Sequence, residues 1–426
     1  MTSWVEVSER RLHANYRLLV EAAGGDTAVL AVVKANAYGH GAGVCAPVLV
    51  KAGAEWLGVA DAAEGVAVRE ALVRARAANG AANGVAHEDQ PRLCHDIRIL
   101  VMSGLLGEDA EAVLSHGLTP VVWEQQQMEW LAAAVVQSGG DVARLPVHLE
   151  IDTGMARQGV APGEGLRALL HWLKRQPRLM LEGVMTHFAS PEEVGSAQTL
   201  AQRERFEEAI AAVAEAGLRP AWVHAGSSST VDNAADSMVG STIDNRNAVG
   251  NLAWLRSLAA GVGARSMVRS GIALYGYCLP IEPEGCGVNA NVRCGLQPVM
   301  SWKTRVIGLR EVRAGDTVGY NAIFTAPRPM RLALLPVGYS DGVRRELSGS
   351  NARAGGWVML KGQRAAIVGR VSMNLTVVDV TGIAGVAVGD EAVVLGDGVT
   401  ADDHARLAHT IAYEIVCGVR AEARLV

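Results

Sequence analysis

Lys34 closes the apolar run Ala31-Val32-Val33 and opens a glycine-rich loop, Ala35-Asn36-Ala37-Tyr38-Gly39-His40-Gly41. Partial burial of an ammonium at a strand end lowers its pKa and leaves a neutral amine able to form a Schiff base with a carbonyl. Taken alone, such a lysine also fits a snorkelling side chain. Tyr339 stands in Gly338-Tyr339-Ser340-Asp341-Gly342. By itself that segment reads as a turn, because a tyrosine with an unperturbed pKa of about 10 needs activation before it can act as a base. Arg269 ends another apolar run, ahead of Ser270-Gly271-Ile272. Taken alone, it reads as a structural arginine at a strand end. His404 and His409 lie five residues apart on a predicted terminal helix. That spacing is off the i,i+4 face of a metal pair, and both read as helix-surface histidines.

Such residues need elements to hold them. Short β-branched runs at 28–33, 56–59, 97–102, 118–122, 146–151, 179–185, 221–224 and 266–269 alternate with stretches of helical period. One of those stretches, 200–216, sets Leu200, Phe206, Ile210 and Val213 against charged Arg203, Glu204, Glu207 and Glu208, an amphipathic stripe. Serial strand–helix units in that number predict an α/β fold, a (β/α)8 TIM barrel, in preference to an open doubly wound sheet. Beyond residue 294 the runs become short and β-rich, with Gly-Asp turn signals at 315–316, 389–390 and 396–398. The expected organisation is a barrel over residues 1–290 and a C-terminal β-strand-rich domain over 291–426. A last helix over 402–415, with Asp caps, closes it. Segments 79–91 and 229–251 read as inserted surface loops and 279–295 as the linker.

Composition narrows the function classes. The 426 residues carry 39 basic and 44 acidic side chains, a net charge of −5. That is too mild and mixed for a nucleic-acid binder or a polybasic membrane anchor. No apolar run reaches the length of a membrane helix. The six cysteines (45, 94, 278, 286, 294 and 417) form no CxxC pair, so no zinc ribbon or redox site is expected and no metal is called for. The N-terminus has neither a basic n-region nor an apolar h-region. The expected setting is therefore cytoplasmic and reducing.

The segment 31–41 closely resembles the cofactor-lysine signature of alanine racemases, fold-type III pyridoxal-phosphate enzymes. Seven further segments match in order: 148–157, 186–189, 224–228, 269–276, 337–342, 368–374 and 413–415. The resemblance implies that Lys34 holds pyridoxal 5'-phosphate covalently. It implies that Lys34 and Tyr339 are the catalytic bases, on opposite faces of Cα, since racemisation removes a proton from one face and returns it to the other. His187 and Arg269 neighbour that chemistry, with Arg269 at the pyridine nitrogen. Tyr38, Tyr413, Ser228 and the backbone N–H groups of Gly271 and Ile272 hold the phosphate. Arg157 contacts the substrate carboxylate or the cofactor's phenolic oxygen. Met373 and Tyr339 belong to a second subunit's contribution, so a homodimer is implied.

The match departs from the common pattern in three places. Glu150 stands where many relatives have a carbamylated lysine, and we expect it to pair with Arg157. Asn374 replaces an aspartate beside Met373, and Ser227 replaces an asparagine before Ser228. These changes bear on the substrate more than on the reaction. L- and D-alanine are the expected substrates, with a serine or broad-specificity racemase of the same fold as the alternative. Another alternative is a fold-type III decarboxylase, dehydratase or aldolase. A non-catalytic cofactor-binding protein would lack the second domain.

Overall fold

The first strand of the chain, β1 (Ser3–Val7), does not begin the barrel. It pairs antiparallel with β10 (Met300–Arg305), Val5 opposite Trp302. It also pairs parallel with a terminal strand, Ala423–Leu425. The computed structural model describes residues 2–83, 96–139, 144–232, 250–280 and 291–426. Cys94, Cys286, most of the 79–91 and 229–251 segments and most of the 279–295 linker lie outside those residues.

The chain divides into two compact units. One contains residues 13–35 and 46–296; the other contains 1–12, 36–45 and 297–426. A break near residue 290 therefore misses two excursions, residues 1–12 and 36–45, that belong with the C-terminal part. The physical reason for the first is β1, whose backbone groups pair with the C-terminal strands β10 and Ala423–Leu425.

In the larger unit eight parallel strands close on themselves. They are β2 (Thr27–Val32), β3 (Trp56–Val59), β4 (Arg98–Val101), β5 (Thr119–Val122), β6 (Leu145–Glu150), β7 (Leu179–Met185), β8 (Trp222–His224) and β9 (Arg265–Ser270). β2 closes the ring on β9, with Leu30 opposite Arg269. This is the (β/α)8 barrel expected from the eight apolar runs. Helices follow most strands, including Gln125–Gln137, Glu164–Lys174 and Ala197–Glu215. The last buries Phe206, Ile210 and Val213, as its stripe predicts. Arg203, expected on its polar face, is buried as well, its guanidinium 5.0 Å from the Trp254 ring centre. A cation–π contact takes the place of hydration there.

The smaller unit is strand-rich. Its strands continue as β11 (Gly308–Val312), β12 (Thr317–Val318), β13 (Phe324–Thr325), β14 (Met330–Leu335), β15 (Trp357–Leu360), β16 (Gln363–Ala366), β17 (Thr376–Asp379), β18 (Glu391–Leu395) and β19 (Ala423–Leu425). They form a sheet in the order β16-β15-β18-β10-β1-β19, a three-stranded sheet β11-β14-β17, and the ribbon β12-β13. Val318, Ala326, Met330, Leu332 and Val368 pack as one core cluster.

The expected terminal helix over 402–415 is two helices, Ala401–Ala408 and Ala412–Cys417. Thr400 caps the first by accepting from the Asp403 N–H. His409 ends it with φ of 55°, in the left-handed region. His404 is buried rather than on the surface, with Nε2 3.1 Å from the Trp357 carbonyl. Among the described residues no helix is long and apolar enough to cross a membrane.

Candidate active site

The barrel unit brings together Lys34, Glu150, His187, His224, Ser228 and Arg269 at or just beyond the C-terminal ends of its strands. That is the face where barrels of this kind carry their reactive groups. Only Val33 separates Lys34 from the end of β2, and Lys34 is half-buried. It opens a helical turn, Lys34–Tyr38, of unusual hand. Ala35, Asn36, Ala37 and Tyr38 have φ of 53°, 52°, 56° and 51°. L-residues avoid this region, so side-chain contacts must hold it. The Ala35 N–H donates to Glu64 Oε1 at 2.7 Å, and Asn36 Oδ1 accepts from the Ala42 N–H at 2.8 Å.

Arg269 is fully enclosed and its guanidinium is held at three points. Nη1 donates to His224 Nδ1 at 3.1 Å, and Nη2 donates to the Thr186 carbonyl at 2.7 Å and to His187 Nδ1 at 3.0 Å. Burial lowers its pKa to about 10, with the Glu150 carboxylate opposing the shift. It stays a cation and a donor at neutral pH. His187 is pushed down to about 3, first by burial and then by the charges of Arg269, Arg157 and Lys34. A neutral imidazole therefore sits among three cations.

Ser228 anchors the turn after β9. Its Oγ accepts from the Gly271 N–H at 3.0 Å and the Ala273 N–H at 3.2 Å, and lies 3.2 Å from Ser270 Oγ. With both lone pairs taken by N–H groups, the Ser228 hydroxyl hydrogen is the one directed at Ser270 Oγ. The Gly271 N–H is thus engaged by Ser228 itself. Ile272 begins the one-turn helix that follows.

Glu150 is buried, and burial raises its carboxyl pKa against the hydrogen bond from Gln158 and the charges of Arg269 and Arg157. Its hydrogen-bond partner is Gln158, whose Nε2 donates to Oε2 at 2.5 Å and also reaches the Met102 carbonyl at 2.8 Å. The expected pairing with Arg157 is not formed. The loop turns at Ala156 with φ of 56°, so Gln158 faces Glu150 and Arg157 is exposed.

The smaller unit holds the remaining predicted residues. Tyr38 is buried, and its ring packs edge-on against Tyr413 with centroids 6.1 Å apart. Burial pushes the Tyr38 pKa upward, so its hydroxyl keeps its proton. Tyr339 and Met373 are exposed at 45% and 56%. Their segments are joined by hydrogen bonds from the Tyr339 N–H to the Ser372 carbonyl and from the Ser340 N–H to the Met373 carbonyl, both at 3.0 Å. Asn374 Nδ2 donates to Ser340 Oγ at 2.6 Å.

Reading the sequence alone left several residues of this site without a role. His148 and Glu182 lie within β6 and β7, His224 and Thr186 at or just past strand ends and Gln158 in the loop after β6, and all but Gln158 are buried. The available signal was alternation: His148 and Glu150 are two apart in an otherwise apolar strand and so face the same side of it.

A barrel with a lysine at a strand end, a buried arginine gripping neutral histidines, and an appended β unit define an enzyme of the barrel-type racemase class. Residues 7–241 match the alanine racemase N-terminal domain, and residues 299–426 match the alanine racemase C-terminal domain. The chain belongs to the alanine racemase family. It is 36% identical over 422 residues to an alanine racemase of Symbiobacterium thermophilum, covering 98% of this chain and 94% of that one. It is 33% identical to one of Sorangium cellulosum, covering 97% and 96%. Among solved structures, the alanine racemase of Streptomyces coelicolor A3(2) is similar with a TM-score of 0.78 and 31% identity, covering 100% of this chain and 98% of that one.

Proposed function

We propose that this chain is a pyridoxal 5'-phosphate-dependent alanine racemase, acting as a homodimer, with Lys34 and Tyr339 as the bases on opposite faces of the substrate Cα. The observation that carries the reading is Lys34 at the end of β2 in the same barrel as Arg269 and the neutral His187 that Arg269 grips. The family membership points the same way.

The residues present fit the cofactor. Arg269 is a buried cation that can only donate, which suits an unprotonated ring nitrogen. Ser228 and the turn at Gly271 and Ile272 that it braces are assigned to the phosphate by resemblance. Tyr38 and Tyr413 are assigned to the phosphate by resemblance. When bound, the cofactor supplies an electron sink that acidifies Cα–H. Lys34 Nζ would carry the proton on one face and Tyr339 Oη the proton on the other. His187, neutral and pinned by Arg269, cannot compete for that proton at neutral pH. Arg157, exposed in the loop after β6, is free to meet a carboxylate. The exposure of Tyr339 and Met373 supports a dimer in which a second copy covers them.

The test is incubation of the purified, cofactor-loaded protein with L-alanine in D₂O. Growth of Cα-deuterated D-alanine is the expected result. Pyruvate, ammonia or an amine without D-alanine would overturn the reading in favour of another fold-type III reaction.

A further inference from the structure

A continuous line of side chains runs up the inside of the barrel to Arg269. At its lower end Arg98, the first residue of β4, grips Glu182 of β7 with both terminal nitrogens, at 2.6 and 2.5 Å. Its Nη2 also donates to Thr119 Oγ1, at the start of β5, at 2.9 Å. Glu182 Oε2 lies 3.3 Å from His148 Nε2, His148 Nδ1 lies 2.8 Å from His224 Nε2, and His224 Nδ1 lies 3.1 Å from Arg269 Nη1.

The two ends decide where every proton sits. Arg269 can only donate, so His224 Nδ1 is a lone pair and His224 Nε2 carries the hydrogen. That hydrogen points at His148 Nδ1, which must then be the acceptor. His148 Nε2 carries its own hydrogen, directed at the Glu182 carboxylate, which only accepts when ionised. All four nitrogens of two imidazoles are used, and both rings hold the Nε2–H tautomer. The rings are fully buried and burial pushes both pKa values down, which suits the neutral form this arrangement needs. Burial raises the Glu182 carboxyl, but the hydrogen bonds from His148 and Arg98 outweigh it and hold the group ionised.

The seat for this line is built into the backbone. A Cβ on Gly183 would lie 2.5 Å from His148 Nδ1, so the residue after Glu182 must be small for the ring to lie there. Trp56 packs against the same ring, with centroids 5.3 Å apart, and Arg98 covers Trp56 at 4.7 Å.

We infer that Glu182, through His148 and His224, is a positioning residue for Arg269: it fixes one tautomer in each imidazole so that His224 offers Arg269 a lone pair and sets the plane of its guanidinium. The effect on catalysis rests on the racemase reading; the tautomer order does not. Polarised in one direction, such a chain also couples a buried cation to a carboxylate two rings away.

The test uses Glu182→Gln and His148→Gln in the full-length holoenzyme. An amide at 182 cannot accept from both Arg98 nitrogens and His148 without turning an N–H toward one of them. An amide at 148 can still donate to Glu182 and accept from His224. We expect Glu182→Gln to disturb the ¹⁵N pattern of His224 from a single Nε2–H tautomer. We expect it to lower kcat about 10- to 100-fold with KM little changed, as lost carboxylate–histidine support does elsewhere. His148→Gln, which keeps a donor toward Glu182 and an acceptor toward His224, should lower kcat less than Glu182→Gln does. In an Arg269→Lys background, Glu182→Gln should add little further loss. An unchanged His224 ¹⁵N pattern would overturn the inference. So would an undiminished penalty in the Arg269→Lys background, because a purely structural ion pair gives additive losses. If Glu182→Gln does not fold, a mixed-tautomer His224 in the wild-type protein overturns it alone. A disturbed pattern in protein that makes no D-alanine in wild-type form would sink the racemase reading and leave the relay standing.

Discussion

Arg269 Nη2 donates to His187 Nδ1 over 3.0 Å, and this fixes which histidine nitrogen can carry a hydrogen. His187 is an acceptor at Nδ1 and so bears its hydrogen at Nε2. Protonating it would place N–H against N–H beside a buried guanidinium. Four buried histidines are likewise held neutral by desolvation: His148, His224, His404 and His40, the last at about 4.

A pH dependence of stability follows. Each depressed histidine contributes stability that is fully present above its unfolded pKa of about 6.5 and is lost as pH falls toward its folded value. In that window the unfolded chain binds more protons. The loss is about 1.4 kcal/mol per pH unit per fully titrating histidine. Glu150, raised by burial, pulls the other way as pH rises through its folded pKa, but one carboxyl stands against five imidazoles. Urea melts at pH 7, 6 and 5 should therefore show stability falling steadily. A flat profile across that range would contradict neutral burial of these rings.

Lys34→Arg keeps the charge and removes the amine that can be deprotonated. Lys34 is half-buried at a strand end, so folding should be nearly unchanged. Racemisation should fall by about 10²- to 10⁴-fold, the range for a lost acid–base group. Borohydride reduction followed by mass spectrometry should find the cofactor adduct on wild-type Lys34 and nothing at that position in the variant. An adduct on another lysine of the wild type would reassign the site.

Tyr339→Phe removes one hydroxyl from an exposed ring, and stability should change by less than about 0.5 kcal/mol. If Tyr339 serves one face of Cα and Lys34 the other, interconversion should drop by about 10²- to 10⁴-fold. Deuterium should still wash into one enantiomer, the one whose Cα–H faces Lys34. Equal loss of exchange from both enantiomers would argue against a base on each face.

The barrel was legible because each of its strands is a short apolar run between helical stretches. The predicted run at 56–59 coincides with β3, and 179–185 with β7. β1 was not, because its partner β10 lies some three hundred positions away and no local pattern announces such a pairing. Lys34, Arg269 and Ser228 were legible from their motifs. Their partners were less so. Which of two neighbouring polar residues meets Glu150 depends on the backbone hand at Ala156, and alanine gives no hint of a positive φ. Glu182 is the one polar residue of β7 and His148 one of two in β6, in runs that otherwise read as ordinary apolar strands, and only closure of the barrel brings them together.

The left-handed turn after Lys34 stores strain that substitutions can release or worsen. Each L-residue in that conformation costs roughly 1–2 kcal/mol. Ala35 is exposed at φ of 53°, and its contribution to holding the turn is its N–H bond to Glu64. Ala35→Gly keeps that bond and removes the Cβ conflict, so it should stabilise the protein by about 1 kcal/mol. It should also lower kcat, because a freer backbone beside Lys34 holds the amine less firmly. Gly39, at φ of 78°, is the opposite case. A Cβ there would lie 2.1 Å from the Val416 carbonyl oxygen, which is backbone and cannot rotate away. Gly39→Ala should destabilise by roughly 1–3 kcal/mol or more from overpacking, added to the strain of its backbone angle. Urea denaturation of the two variants should move the midpoint in opposite directions. A Gly39→Ala protein as stable as wild type would mean that the close approach to Val416 is not part of the fold.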